Sequence, residues 1–224
     1  EFLRNLKPAS IRQEIDASLK RLQVDVIDLY QIHWPDKSTP IEETLDELMK
    51  IRESGKFRYL GVSNFSPKLM EQVRAITDIV SVQPQYSMLD RRIEEDVLPY
   101  AISRDMGVLS YGTLAGGVLT GKYRDIPEFS EEDRRGHFYD FFRKPLWGRI
   151  QELLDTLRGI AAERDVPVAQ VAINWTIHQK GITTALVGAK RPDQAVSNAG
   201  GGSWKLTDDE LAGITKAIDA AFGR

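Results

Sequence analysis

The chain has 224 residues, 42% of them hydrophobic and 28% charged, which is the composition of a globular protein able to bury one large core, so a single domain over 1–224 is expected. A net charge of −3, with lysines and arginines scattered rather than clustered, argues against a nucleic-acid partner or an anionic membrane surface. The lack of cysteine removes disulfides, thiolate metal sites and a cysteine nucleophile, fits a cytoplasmic location, and accompanies the absence of any apolar run long enough to span a bilayer.

Glu1-Phe2-Leu3-Arg4 offers neither an initiator Met nor a signal-peptide core. Ser10 with Gln13 then reads as a capping box, followed by a helical stripe of Ile11, Ile15, Leu19 and Leu22. Residues 25 to 33 are mostly apolar and β-prone, as in a strand covered on both faces. Thr39 is expected to cap the next helix, with Pro40 at its first position, Ile41, Leu45, Leu48 and Ile51 inward, and Gly55 closing it. A strand at 57–62 precedes a helix opened by Ser66-Pro67, with Phe65 and Met70 placed as a hydrophobic staple.

The alternation continues with a strand near 80–83, a helix near 91–105 and a strand at 107–111. A long irregular stretch, 123–145, exceeds the usual connection and reads as a lid, binding loop or disordered segment; its His137, Phe138, Tyr139, Phe141 and Phe142 suit either a substrate wall or anchors for the loop. Helices near 147–164 and 168–179, a strand at 183–187, a short helix after Pro192 and a last helix capped by Thr207 and Glu210 complete the chain.

Regular βα alternation implies α/β architecture with a parallel sheet, either open or closed as a barrel. Closing a (β/α)₈ barrel takes eight strands and about 250 residues. This sequence begins with a helix and supplies five strands, so about three βα units are expected to lie upstream of residue 1.

Asp28-Leu29-Tyr30-Gln31-Ile32-His33-Trp34-Pro35 and, at the next strand end, Gly61-Val62-Ser63-Asn64-Phe65 resemble the aldo-keto reductases. Val82-Gln83-Pro84, Tyr111-Gly112-Thr113-Leu114, Leu119-Thr120-Gly121-Lys122 and Val187-Gly188-Ala189-Lys190-Arg191-Pro192 extend the resemblance in the right order over essentially the whole chain. It implies a TIM (β/α)₈ barrel of which strands four to eight are present, NADP(H) as cofactor with NAD(H) possible, and hydride transfer between nicotinamide and a carbonyl or alcohol substrate. It equally admits a non-catalytic NADP(H)-binding regulatory subunit, like the potassium-channel β-subunits, or an inactive fragment of the reductase.

His33 ends a strand on the side where barrel active sites are built, and a neutral imidazole there can orient a carbonyl oxygen. Alone it would read as a buried, hydrogen-bonded histidine; the motif assigns it the catalytic role. Tyr30 has the opposite strand parity and is expected to face the helices. The family's Tyr, Lys and Asp, which deliver the proton, belong to the first three βα units, and no residue here matches them. No metal site is expected.

By the same resemblance Ser63, Asn64 and Gln83 hold the nicotinamide carboxamide and Tyr111 lies against its ring. The loop bearing Gly112, Leu114, Gly116 and Lys122 approaches the pyrophosphate. Without the resemblance, Ser63 and Asn64 read equally well as turn formers.

Gly116 to Lys122 also spells most of a nucleotide triphosphatase loop, but Tyr123 replaces the magnesium-binding Ser or Thr and no helix follows, so that reading fails. A dinucleotide G-x-G-x-x-G is absent, and Gly200-Gly201-Gly202 reads as a turn. The last strand leads instead to Gly188, Lys190, Arg191, Gln194 and Asn198, where two adjacent cations suit an adenosine 2′-phosphate. This Gly-Ala-Lys-Arg version departs from the Lys-Ser pattern of some family branches. His178 is expected only to cap or pack near a helix end. Substrate identity and oligomeric state are not legible.

Overall fold

In the computed structural model residues 4–223 are described, and their contacts group them into two units. The first comprises residues 4–84 and 93–109, the second residues 85–92 and 110–223.

The first unit starts with α1 (Pro8–Leu22), followed by β1 (Ile27–Ile32), α2 (Ile41–Glu53), β2 (Phe57–Ser63), α3 (Pro67–Arg74), β3 (Ser81–Gln83), α4 (Val97–Ser103) and β4 (Gly107–Ser110). The strands pair in parallel and in chain order: Ile32 lies opposite Val62, Ser63 opposite Gln83, and Val82 opposite Val108. Ile15, Leu45, Leu48, Leu60, Val62, Met70 and Val82 fill its core.

Two expected caps fall elsewhere. Helix α1 begins at Pro8, whose fixed φ suits a first helical position, so Ser10 lies inside the helix and donates to Glu14 Oε1 at 3.0 Å. Pro40, not Thr39, is the N-cap of α2, because the Thr39 hydroxyl donates to Asp36 Oδ2 at 2.7 Å. Ser66 caps α3 as expected, accepting from the Leu69 N–H at 3.3 Å, and both staple residues are buried. The helix expected over 91–105 divides into a 3₁₀ turn, Arg92–Glu94, and α4.

The second unit holds α5 (Arg135–Phe138), α6 (Leu146–Glu163), α7 (Val168–Ile177), β5 (Thr184–Ala185), α8 (Pro192–Ala199) and α9 (Asp208–Phe222). Beside β5, the Leu186 N–H donates to the Ser110 carbonyl at 2.7 Å. Helix α6 packs against α7 and α9. Buried Asn174 ties α7 to the turn after α8, donating to the carbonyls of Gly201 and Trp204 and accepting from the Leu206 N–H. The glycines of that turn allow the approach: a Cβ on Gly201 would lie 2.9 Å from Ile173. His178 ends α7, with its Nδ1 2.8 Å from the Asn174 carbonyl.

No helix among the described residues is long and apolar enough to cross a membrane. Among them no group of three His, Cys, Asp or Glu residues is placed to hold a metal ion.

Candidate functional site

In the first unit, three neighbouring parallel strands end on residues joined by hydrogen bonds. His33 follows β1 and is exposed; Ser63 closes β2 and is buried; Asn64 follows it, and Gln83 closes β3. The Ser63 hydroxyl donates to the Gln83 carbonyl at 2.7 Å and accepts from Asn64 Nδ2 at 2.9 Å. Asn64 Nδ2 also reaches the His33 carbonyl at 3.1 Å, and its backbone N–H reaches the Gln83 carbonyl at 3.2 Å. Asn64 adopts φ 62°, a left-handed conformation that Asn tolerates better than most residues. The Ser63 hydroxyl proton is therefore spent on a neighbouring strand, and the three strand ends are fixed relative to one another.

The loop after His33 is secured by Asp36, a role the sequence reading does not assign. Its carboxylate accepts from the Ser38 hydroxyl and N–H, the Leu6 N–H and the Thr39 hydroxyl. These bonds, the Ser38 hydroxyl foremost, hold its pKa well below the usual carboxylate range. Arg4 lies 4.4 Å above the Trp34 ring. Tyr30 is half-buried, and burial, followed by the charge of Glu14 on α1, pushes its phenol up to about 12. Its ring lies 5.7 Å from that of Phe57 on the neighbouring strand.

One turn of chain below these strand ends, Gly61 is required by its neighbours. A Cβ there would collide with Ser81 Oγ and lie 3.1 Å from Gln31 Oε1, and both of those oxygens are buried without a hydrogen-bond partner.

The second unit contains a cavity of about 980 Å³. One wall is the loop after β4, with Gly112, Leu114, Gly116 and Lys122; another is the segment leading into α8 with one side of that helix, bearing Gly188, Lys190, Gln194 and Asn198. The sequence motifs thus place eight residues around one space. Arg191 is not part of its wall; its guanidinium is clamped on Asp193, which is. Tyr111 is half-buried next to this loop, its phenol pushed up by burial and by the nearby Tyr139 and Asp90.

The loop is tightly wound rather than loose. Gly112, Ala115, Gly116, Gly117 and Gly121 all have positive φ, yet the N–H groups of Ala115 and Gly117 are already given to the carbonyls of Gly112 and Leu114. This narrows the expected role of its backbone as an anion cradle. The side chains of the 123–145 stretch contribute more charge. Arg135 chelates Asp133 and donates to the Gly116 carbonyl and the Tyr123 hydroxyl, each at 3.1 Å. Arg135, followed by other causes that include Lys190, holds the Asp133 pKa down at about 2.

The aromatic residues of that stretch have different surroundings. Phe142 is buried against Phe129 and Trp147 and anchors the segment, whereas Tyr139 lines the cavity with its ring against Gly116. Phe138 remains more than half exposed, at 57%.

The volume, the two lysines and the glycine-bearing loop suit a large anionic ligand such as a nicotinamide dinucleotide. Parallel βα units with polar residues gathered at strand ends are the arrangement in which α/β proteins build binding and active sites. The sequence model of the aldo/keto reductase family matches residues 3–219, and the chain belongs to that family.

It is 37% identical to aldo-keto reductase YhdN of Bacillus subtilis over 98% of this chain and 66% of that protein. It is 30% identical to the NADH-specific methylglyoxal reductase of Escherichia coli over 98% of this chain and 68% of that protein. The solved structure of a glycerol dehydrogenase from Gluconobacter oxydans matches 100% of this chain and 68% of its own, with TM-score 0.91 and 37% identity. This likeness and the parallel βα pattern support a TIM-type barrel. The chain spans about two thirds of the length of these relatives. The narrower expectation, that only strands four to eight are present and about three βα units are absent, is not borne out by matches that run over nearly the whole chain.

Proposed function

We propose that this protein is an oxidoreductase that transfers a hydride between a nicotinamide dinucleotide and a small carbonyl or alcohol substrate, aldehydes and ketones being the reducible class. Membership of the family, with His33, Asn64, Ser63 and Gln83 joined by hydrogen bonds at adjacent strand ends, is the observation that carries this reading.

When bound, the dinucleotide supplies or accepts the hydride. In this reading the His33 imidazole orients the substrate oxygen, and the Asn64 and Gln83 carboxamides hold the cofactor's amide. Tyr111 supports the ring face. Ser63 acts by fixing Asn64, since its own proton is donated to Gln83.

The cavity of the second unit takes the phosphates and the adenosine end, with Lys122 and Lys190 supplying positive charge. Lys190 favours NADP(H), and NAD(H) is the second cofactor. The cysteine-free composition suits work in the cytoplasm. No described residue is assigned as proton donor, and Tyr30, raised to about 12 and on the helix side, is unsuited to that role.

Steady-state reduction of a simple aldehyde by the intact protein, followed through cofactor oxidation, is expected to fall at least about a hundredfold in kcat for His33→Ala. Unchanged kcat in that variant removes His33 from the mechanism. Tight dinucleotide binding without any turnover in the unaltered protein would favour the regulatory-subunit reading instead.

A further inference from the structure

Lys190 and Arg191 are adjacent in sequence but differently placed. Lys190 belongs to the cavity wall together with Asp193 and Gln194, and Arg191 does not. Pro192 opens α8 immediately after them, and Arg191 grips Asp193 across it at two points, Nε to Oδ1 at 3.0 Å and Nη2 to Oδ2 at 2.9 Å. The backbone N–H of Lys190 donates to Gln194 Oε1 at 2.7 Å, which fixes the turn. The Arg191 guanidinium lowers the Asp193 pKa, so the cavity wall carries a carboxylate that stays ionised at neutral pH.

We infer that Asp193 sets the cofactor preference of this site: its carboxylate favours the ribose hydroxyls of NAD(H) over the 2′-phosphate of NADP(H), with Arg191 engaged as its counter-ion. The inference rests on the proposed reading of this cavity as the adenosine-phosphate end of a dinucleotide site. An acidic side chain near a ribose accepts hydrogen bonds from its hydroxyls, whereas a free arginine accommodates a 2′-phosphate. Here the arginine is already paired in the bidentate geometry that a phosphate would need. A 2′-phosphate must either break that pair or approach the carboxylate. Two negative charges about 6 Å from a third across water weaken binding about tenfold. Lys190 offsets part of this, so the pair lowers an NADP(H) advantage rather than excluding that cofactor.

The test is equilibrium binding of NADH and NADPH to the full chain, read by tryptophan fluorescence quenching, for the unaltered protein, Asp193→Asn and Asp193→Glu. Asp193→Asn is expected to tighten NADPH about tenfold and to weaken NADH by about threefold or less, while Asp193→Glu keeps the original ratio. The NADPH-over-NADH gain produced by Asp193→Asn should shrink on going from about 50 mM to about 500 mM salt, as screening weakens the repulsion that the substitution removes. Equal shifts for both dinucleotides in Asp193→Asn, the same ratio change in Asp193→Glu, or an effect of Asp193→Asn on the ratio that does not change with salt would each overturn the inference while leaving the dinucleotide reading intact. Failure of the unaltered protein to bind either dinucleotide would overturn both. The pair is exposed on both sides, so neither substitution opens a cavity, and circular dichroism verifies the fold.

Discussion

Asn64 and Gly116 are positions where the backbone conformation and the side-chain environment make the same demand. At Asn64 a left-handed φ turns the carboxamide towards both Ser63 and His33, which Asn allows at modest cost. At Gly116, φ is 67° and an added Cβ would lie 2.8 Å from two ring carbons of Tyr139. Gly116→Ala is therefore expected to displace Tyr139 from the cavity, to cost about 1–2 kcal/mol of stability and to weaken dinucleotide binding several-fold. Urea unfolding and a binding titration check the two effects, and a variant with native values for both contradicts this account of the loop. The importance of both residues was legible, because Ser63-Asn64 and Gly112 to Lys122 stand in recognisable motifs. The parity of Tyr30 was legible too, since strand side chains alternate. The division of labour between Lys190 and Arg191 was not: two basic neighbours look equivalent in a sequence, and only the folded chain puts Lys190 on the cavity wall and pairs Arg191 with Asp193. Asp36 was hidden for a similar reason, because its partners Leu6, Ser38 and Thr39 meet only in the folded loop.

The elements show where local signals suffice. Thr207 and Glu210 form the capping box of α9 as the spacing predicts, with Glu210 Oε2 accepting from the Thr207 N–H at 2.6 Å. The same carboxylate receives Arg164 from the end of α6 at 2.5 Å, and Arg164, ahead of Thr207, holds the Glu210 pKa down at about 2. A carboxyl whose pKa is lower in the folded than in the unfolded chain stabilises the fold fully above its unfolded value of about 4.5. That contribution is lost as pH falls from there towards about 2. Glu210→Gln should therefore lower the melting temperature at pH 7, with the difference shrinking as the pH is lowered through this window; a pH-independent difference contradicts the assignment. Ser10 shows the limit of such motifs, since Pro8 two residues earlier starts the helix and leaves the apparent cap inside it. The 123–145 stretch marks another limit. Its length signalled a functional loop, but the Arg135 bridge to Gly116 and the burial of Phe142 depend on tertiary contacts that no spacing encodes.

At the scale of the molecule, alternating apolar segments gave the parallel βα order, and six ordered motifs gave the family. Each unit then contributes a different chemistry: strand-end amides and an imidazole in the first, a charged cavity of about 980 Å³ in the second. Selective pairing explains why the polar residues persist there, since the Ser63, Asn64 and Gln83 bonds satisfy groups that would otherwise be costly to bury. The central claim is that a hydride passes between a dinucleotide and a carbonyl carbon in this protein. The most direct measurement uses NADPH and NADH carrying deuterium at the transferable position of the nicotinamide ring, with a simple aldehyde, and mass spectrometry of the alcohol formed. Incorporation of one deuterium at the former carbonyl carbon, with the labelled alcohol formed far more slowly by His33→Ala, is the predicted result; alcohol without the label, or no alcohol with either cofactor, would contradict it.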